Sequence, residues 1–423
     1  MPDRTKPPII QDIQSVRLPE VEVRALDNGI PLYIVNLGTQ EVLKLEVAFR
    51  AGRPYERTLL AARATASQIR EGSAAYSSAQ VAESMDFYGA TLSIPFQLDT
   101  SNFILYSLNK HFPKVLGILQ SLLQRPLFPQ KELEQFIKRN QRRLAVDLTR
   151  NDVVAYRELT AAIFGESHPY GYNSQPQTYG QLQQDALQEH YRRLYNAQNC
   201  VLFLSGRVTE EAVKLVNDAF CSALPEGQRA EASPKPEEQA PQQKFYERPG
   251  TVQSAIRIGR RLFNRHHPDY QGFYVLNTLL GGYFSSRLMA NVREDKGYTY
   301  NIYSSADAMV YDGYFYIGTE VSQEFVPETL QQIYTEMERL QQEPVGEEEL
   351  SMVRNYLLGN FLTMLDGPFN ISEVIRTQAL EGLPMNYLEE LSQTVREISP
   401  DEIQSLAQRY LQREALWEII VGA

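Results

Sequence analysis

Histidine is scarce in this chain. The five that occur, His111, His168, His190, His266 and His267, never stand four residues apart on a stretch of helical pattern. A zinc site takes three or four nitrogen, sulfur or oxygen ligands, and no local histidine pair supplies even two at workable spacing. Each ring therefore reads as a cap, a surface group or a loop contact. The two cysteines, Cys200 and Cys221, lack CxxC spacing, which excludes a disulfide framework and points to buried free thiols. No apolar run is long enough to span a membrane. Basic charge is not in excess: the net charge of -11 argues against a general nucleic-acid binder, which carries a basic face. Phosphate-loop, GxGxxG and GxSxG patterns are missing, and with them the signatures of nucleotide binding and of a serine nucleophile. The first residues, MPDRTKPPIIQDIQ, have no apolar centre of signal-peptide type. The expected residence is the cytoplasm, or the periplasm where a leader has been removed.

What is present points to two domains. A chain of 423 residues exceeds one ordinary domain, and two of roughly 200 residues each are the default. Residues 1–20 are polar and proline-containing and read as an extended arm. Residues 21–224 form a first domain, with period-two runs at Pro31–Val35 and Leu43–Phe49, helices at 59–70, 79–88, 112–123, 130–150, 152–164, 179–195 and 210–220, and further strands at 90–94, 102–108 and 199–204. Residues 225–243 are nearly free of large apolar groups and read as an interdomain linker. Residues 244–423 form a second domain that repeats the order of strands and helices, ending in a helix with the capping box Ser399-Pro400-Asp401-Glu402 and a strand at 416–421. The class expected is α+β: two related domains, each a mostly antiparallel sheet packed with helices.

One polar element stands out, residues 279–304, LLGGYFSSRLMANVREDKGYTYNIYS. Gly281-Gly282 offers a tight turn, Ser285 or Ser286 a helix cap, and Leu288, Met289 and Val292 an apolar stripe over a helix at 284–294. Gly297 reads as the stop, and a strand over 300–306 follows. The element places the cation Arg293 and the phenol Tyr300 on either side of a helix-to-strand turn. Such a pair can grip a peptide carbonyl or a carboxylate. The same two residues also read as a surface arginine and a strand tyrosine, and the residues alone leave both readings open. The acidic run Glu347-Glu348-Glu349 opens a helix, where it complements the dipole.

SSRLMANVREDKGYTYNIYS resembles a segment of the M16 peptidases, the group of insulinase, pitrilysin and the mitochondrial processing peptidase. The two-half organisation, the linker and the loop His168-Pro169-Tyr170-Gly171-Tyr172 are similar as well, so the resemblance runs over nearly the whole chain. It implies an M16/LuxS-like metallohydrolase-type fold. In that family an inverted zinc motif, HxxEH, lies on the first long helix ahead of a Gly-Thr or Gly-Ser. The matching stretch here is AARATASQIREGS, and the motif positions fall on Arg63, Ala66 and Ser67. Arg63 repels a metal, Ala66 cannot activate water and Ser67 is a poor neutral ligand. The family's third ligand should fall within residues 143–147, where Asp147 is the one carboxylate. Zinc hydrolysis needs the full ligand set and a general base.

The resemblance therefore implies a subunit with no catalytic residues, no metal and no cofactor of its own. It also implies that Arg293 and Tyr300 hold the backbone of a peptide substrate. The implied partner is a zinc-containing M16 subunit in a heterodimer, with a homodimer as the alternative. A scaffold or binding protein of the same fold, with no part in proteolysis, is the second reading.

Overall fold

Two mixed sheets organise the chain, and the computed structural model describes residues 13 and 15–422. The first sheet is built from β1 (Glu22–Ala25), β2 (Pro31–Asn36), β3 (Val42–Phe49), β4 (Thr91–Ser93), β5 (Ser101–Leu108) and β6 (Cys200–Gly206). Its order is β1-β2-β6-β3-β5-β4, and of these pairs only β2–β6 is parallel. The second sheet is built from β7 (Gln243–Glu247), β8 (Gln253–Leu262), β9 (Ile302–Ala308), β10 (Gly313–Ser322) and β11 (Trp417–Gly422). Its order is β7-β11-β8-β10-β9, and again one pair, β7–β11, is parallel. With the β1 hairpin set aside, both sheets follow one plan. The first strand lies beside the last, the last beside the second, the second beside the fourth and the fourth beside the third. The repeat expected from the element order is a repeat of topology, and the class is α+β.

The helices of the first half are α1 (Ala61–Ile69), α2 (Ser78–Phe87), α3 (Phe112–Gln124), α4 (Gln130–Asp147), α5 (Asn151–Phe164), α6 (Pro176–Gly180), α7 (Gln184–Leu194) and α8 (Glu210–Ala223). Those of the second half are α9 (Tyr270–Asn277), α10 (Val326–Gln342), α11 (Glu347–Met364), α12 (Gly367–Glu381), α13 (Tyr387–Glu397) and α14 (Pro400–Tyr410). Side chains start two of them as the sequence predicts. Ser77 and Gln80 form a capping box on α2, and Ser399 and Glu402 form one on α14, with Pro400 at its first position. The single helix expected over 179–195 is two, because the chain leaves helical geometry at Gln181–Gln183, after Gly180.

Each sheet buries one face in its own half and the other against a helix from the opposite half. Leu43, Leu45, Val47 and Phe49 of β3 point into the first core, and Ile256 and Ile258 of β8 into the second. Burying a side chain of this size is worth about 1.5–3 kcal/mol. On the far faces the halves exchange helices. Ala155, Leu159 and Ile163 of α5 cover Ala255 of β8 and Ile419 and Val421 of β11. Ile371 and Ile375 of α12 cover Val35, Ala48, Val201 and Phe203 of the first sheet. Hence β6, CVLFLSG, is buried at every position, as strands covered on both faces are.

The same exchange buries charge. Lys44 and Glu46 of β3 are fully buried and meet Glu373 and Arg376 of α12. Arg376 lies 3.2 Å from Glu46 and 2.7 Å from Glu373, and Asn102 Nδ2 donates to Glu46 Oε1 at 2.6 Å.

The two segments outside the sheets are tied down. Of the arm expected over 1–20, residues 1–12 and 14 lie outside the described residues. The rest carries no helix or strand, and Val16 is buried in the second core. Residues 225–242 have no helix or strand yet are pinned by backbone bonds from Ala197 N to Pro225 O (2.8 Å) and from Glu237 N to Phe164 O (3.0 Å). Among the described residues no helix is long and apolar enough to cross a membrane.

Candidate functional site

Arg293 sits on a wide helical turn rather than on an α-helix. After α9 the chain makes a π-turn over Thr278–Gly282, bends, and enters a second π-turn over Met289–Asp295. The helix expected over 284–294 begins only at Arg287. Ser286 starts it through its backbone, since Ala290 N donates to Ser286 O at 2.9 Å, while the buried Ser286 Oγ has no partner. Leu288, Met289 and Val292 are buried in the second core, as their spacing predicts. The π-turn then unwinds through Lys296 N to Asn291 O (3.0 Å) and Tyr298 N to Val292 O (3.1 Å), and Gly297 takes φ +67° as the stop. π-turns of this kind concentrate at functional sites.

Gly281 serves a close approach rather than a turn. A Cβ there would stand 2.5 Å from Ser304 N, so only glycine lets the first π-turn abut β9. On the other side, Arg287 grips Glu349 of α11 through two bonds of 2.8 Å. The acidic start of α11 therefore anchors this element as well as complementing its own dipole.

Tyr300 lies outside the strand expected over 300–306. Ladder pairing of β9 with β10 ends at Ile302, opposite Thr319. Beyond it Thr299 Oγ1 donates to Glu320 O at 2.7 Å, so a side chain takes the acceptor that a longer strand would use. Tyr300 is left 89% exposed and folds back over the cation. The Arg293 guanidinium carbon lies 5.7 Å from the Tyr300 ring centroid and 4.6 Å from that of Phe284. The two residues are thus brought together, with an exposed phenylalanine that the sequence reading missed. Stacking on two rings is worth about 0.5–1 kcal/mol at an exposed site. Among the described residues neither Arg293 nor the Tyr300 hydroxyl has a carboxylate or hydrogen-bond partner.

The three positions matched to the zinc motif also come together. Arg63, Ala66 and Ser67 share one face of α1 and line a cavity of about 250 Å³ with Arg139, Asn140 and Arg143 of α4. Across it Arg63 Nη2 donates to Asn140 Oδ1 at 3.2 Å, and Nη1 to the Tyr179 hydroxyl at 3.3 Å. Asn140 is held in turn by its own bond to Phe136 O at 2.8 Å. Asp147 lies one cavity further on and meets Arg143 at 3.8 Å, at the surface. The α4 group facing Arg63 is therefore Asn140. It lies one helical turn before Arg143 and was missed because a buried amide has no signature in sequence.

These residues do not fit a zinc ion. A guanidinium, a methyl, a hydroxyl and an amide stand where a tetrahedral site needs imidazole, carboxylate or thiolate, and the cation is already hydrogen-bonded across the gap. Among the described residues no group of three histidine, cysteine, aspartate or glutamate side chains could hold a metal. Arg293 and Tyr300 line none of the cavities that hold Arg63.

The histidines are structural. His190 is fully buried, with Nε2 at 3.0 Å from Ala51 O, and burial pushes its pKa down to about 4. His168 stacks on Phe164 and accepts from Tyr170 N at 3.1 Å, and burial lowers its pKa too. His267 stacks on Phe263 at 4.0 Å, and His266 Nε2 lies 2.8 Å from Glu381 O. Burial also pushes the Cys200 thiol well above its usual range.

Residues 181–357, which include Arg293 and Tyr300, match the family model described as the peptidase M16 inactive domain. An uncharacterised zinc protease of Bacillus subtilis, YmxG, is 24% identical over 301 residues, or 70% of this chain and 72% of the relative. The fold is also similar to the crystal structure of a peptidase M16 inactive domain from Pseudomonas fluorescens. That match has a TM-score of 0.88 at 22% identity and covers 95% of this chain and 98% of the other. A protease from Helicobacter pylori gives a TM-score of 0.86 at 14% identity over 96% and 100% of the two chains.

Proposed function

We propose that this chain, which is similar to the M16 peptidases and lacks their HxxEH motif, is a non-catalytic subunit that holds a peptide for a zinc-bearing partner. The observation that carries the reading is the Arg293–Tyr300 pair: a guanidinium stacked on two exposed rings, its donors unused among the described residues. A peptide carbonyl or a carboxylate would supply the acceptors that the described residues do not. Fixed donors of this kind lower the energy of a carbonyl oxygen that gains negative charge, and they do so more strongly where water is excluded. The pair sits on an element fastened on two sides, at Gly281 against β9 and at Arg287 on α11, so little ordering is left for the moment of binding.

In this reading the heterodimer's zinc and general base belong to the partner subunit, and this chain carries no metal and no cofactor. Arg63, Ala66 and Ser67 supply neither ligand nor base. The partner is another M16 chain, and the substrate is a peptide.

The test is reconstitution. The purified chain, a zinc-bearing M16 chain and their mixture are assayed on a quenched fluorescent peptide library. Cleavage by the mixture well above that of either chain alone is the expected result. A mixture no more active than the zinc-bearing chain by itself would sink the proposal.

A further inference from the structure

We propose that the cavity beside the lost zinc motif is an anion site that takes the carboxylates of an acidic peptide. Two adjacent cavities, of about 250 and 400 Å³, share Arg63, Phe96, Asn140 and Arg143 as walls. Their lining holds five arginines, Arg53, Arg63, Arg139, Arg143 and Arg157, and one carboxylate, Asp147. In a chain of net charge -11 this is a local reversal of sign.

Among the described residues no carboxylate comes within ion-pair distance of Arg53, Arg63 or Arg157, though Glu56 and Glu158 act on Arg53 and Arg157 from further off. Arg53 donates to the carbonyls of Pro169 (3.3 Å) and Tyr172 (3.4 Å), Arg157 to that of Ser174, and Arg63 to Tyr179 and Asn140. All of these acceptors are neutral. Among the described residues only Arg143 meets a carboxylate, Asp147 at 3.8 Å, with side chains 74% and 40% exposed; such a pair holds weakly. The carboxylate buried behind, Glu56, is occupied by the Tyr172 hydroxyl (2.7 Å) and Ala62 N (2.9 Å). At Arg157 burial and then Arg53 lower the pKa, with Glu158 opposing them.

The arginines are also oriented. Arg53 and Arg63 both lie on the Phe96 ring, at 5.8 and 5.3 Å, and Arg53 lies on Tyr172 at 4.3 Å. A stacked guanidinium presents its planar fork edge-on, which matches a carboxylate, and on Arg53 the Nε and Nη2 donors take no part in the bonds above. Two cavities side by side, with arginines in the walls of both, suit a chain with carboxylates spaced along it better than a single small ion. The anion preference follows from the arginines alone; the choice of a peptide rests on the peptide-holding role proposed above.

The test uses the full chain without a partner, so its failure leaves the reconstitution result untouched. Binding of a glutamate-rich octapeptide and of its glutamine counterpart is read by fluorescence anisotropy, with inorganic tripolyphosphate as a competitor. The expected outcome is at least tenfold tighter binding of the acidic peptide and a loss of that preference in Arg63→Gln. Arg139→Gln/Arg143→Gln is the folding-safe control, because both side chains are exposed. It should weaken acidic-peptide binding severalfold at unchanged Tm. Equal affinity for the two peptides, or indifference to both variants, would overturn the site. Tripolyphosphate binding without peptide binding would overturn the peptide assignment.

Discussion

Nη2 of Arg63 on α1 donates to Oδ1 of Asn140 on α4 at 3.2 Å, across the cavity that Ala66 and Ser67 also line. A fixed cation bonded to a neutral amide opposes a divalent ion. The protein as purified should therefore hold no stoichiometric zinc by inductively coupled plasma mass spectrometry, and EDTA should leave its Tm unchanged. One zinc per chain, or a Tm that falls with chelation, would contradict this account of the site.

The charge cluster between β3 and α12 holds the halves in register. Glu46 is fully buried between Lys44 at 3.3 Å and Arg376 at 3.2 Å. Glu46→Ala leaves a buried lysine and a largely buried arginine to share Glu373. Breaking a buried pair on one side costs about 3 kcal/mol, so the urea midpoint should fall with m unchanged. A midpoint like that of the wild type would show that the cluster does not carry the contact.

His190 sets a pH dependence of stability. Its buried ring stays neutral in the folded chain, with Nδ1 unpartnered and its pKa pushed down to about 4, from 6.5 when exposed. The folded value lies below the unfolded one. The contribution is thus complete above pH 6.5 and is lost as pH falls toward 4, on the order of 3 kcal/mol in all. His168, lowered in the same direction by burial, adds to the slope. Urea titrations at a series of pH values should show His190→Gln with a shallower decline than the wild type. Parallel declines would mean that this ring does not set the slope.

Gly281 and Gly282 separate two kinds of glycine. A Cβ on Gly281 would meet Ser304 N at 2.5 Å, whereas one on Gly282 finds its nearest atom, Asn277 O, at 3.2 Å. Gly281→Ala should destabilise by about 1–3 kcal/mol through overpacking, and Gly282→Ala by less. Equal losses in thermal melts would show that the approach to β9 does not demand glycine.

Much of this architecture could be read from the sequence because its causes are local. The Ser77–Gln80 and Ser399–Glu402 boxes cap their helices with their own side chains, and the stripe Leu288, Met289, Val292 is buried where its spacing places it. What could not be read depends on partners far along the chain. Nothing in Ala155, Leu159 and Ile163 says that α5 covers the other half's sheet. Lys44 and Glu46 look like the solvent face of an alternating strand until Glu373 and Arg376 arrive from α12. Tyr300 continues a β-type run in sequence, but Thr299 ends the ladder by bonding to Glu320 O, a contact made across β10. The bond from Arg63 to Asn140 needed the packing of two helices.

The most direct test of the central claim is the kcat/KM of the reconstituted pair with Arg293→Ala in this chain. Among the described residues the side chain has no hydrogen-bond or ion-pair partner and stacks on the exposed rings of Phe284 and Tyr300, so the variant should fold and assemble with unchanged Tm. Loss of an oriented donor to a developing oxyanion predicts a fall of about 100-fold, with Arg293→Lys recovering only part of it. An assembled Arg293→Ala pair that cleaves at the wild-type rate would contradict the account.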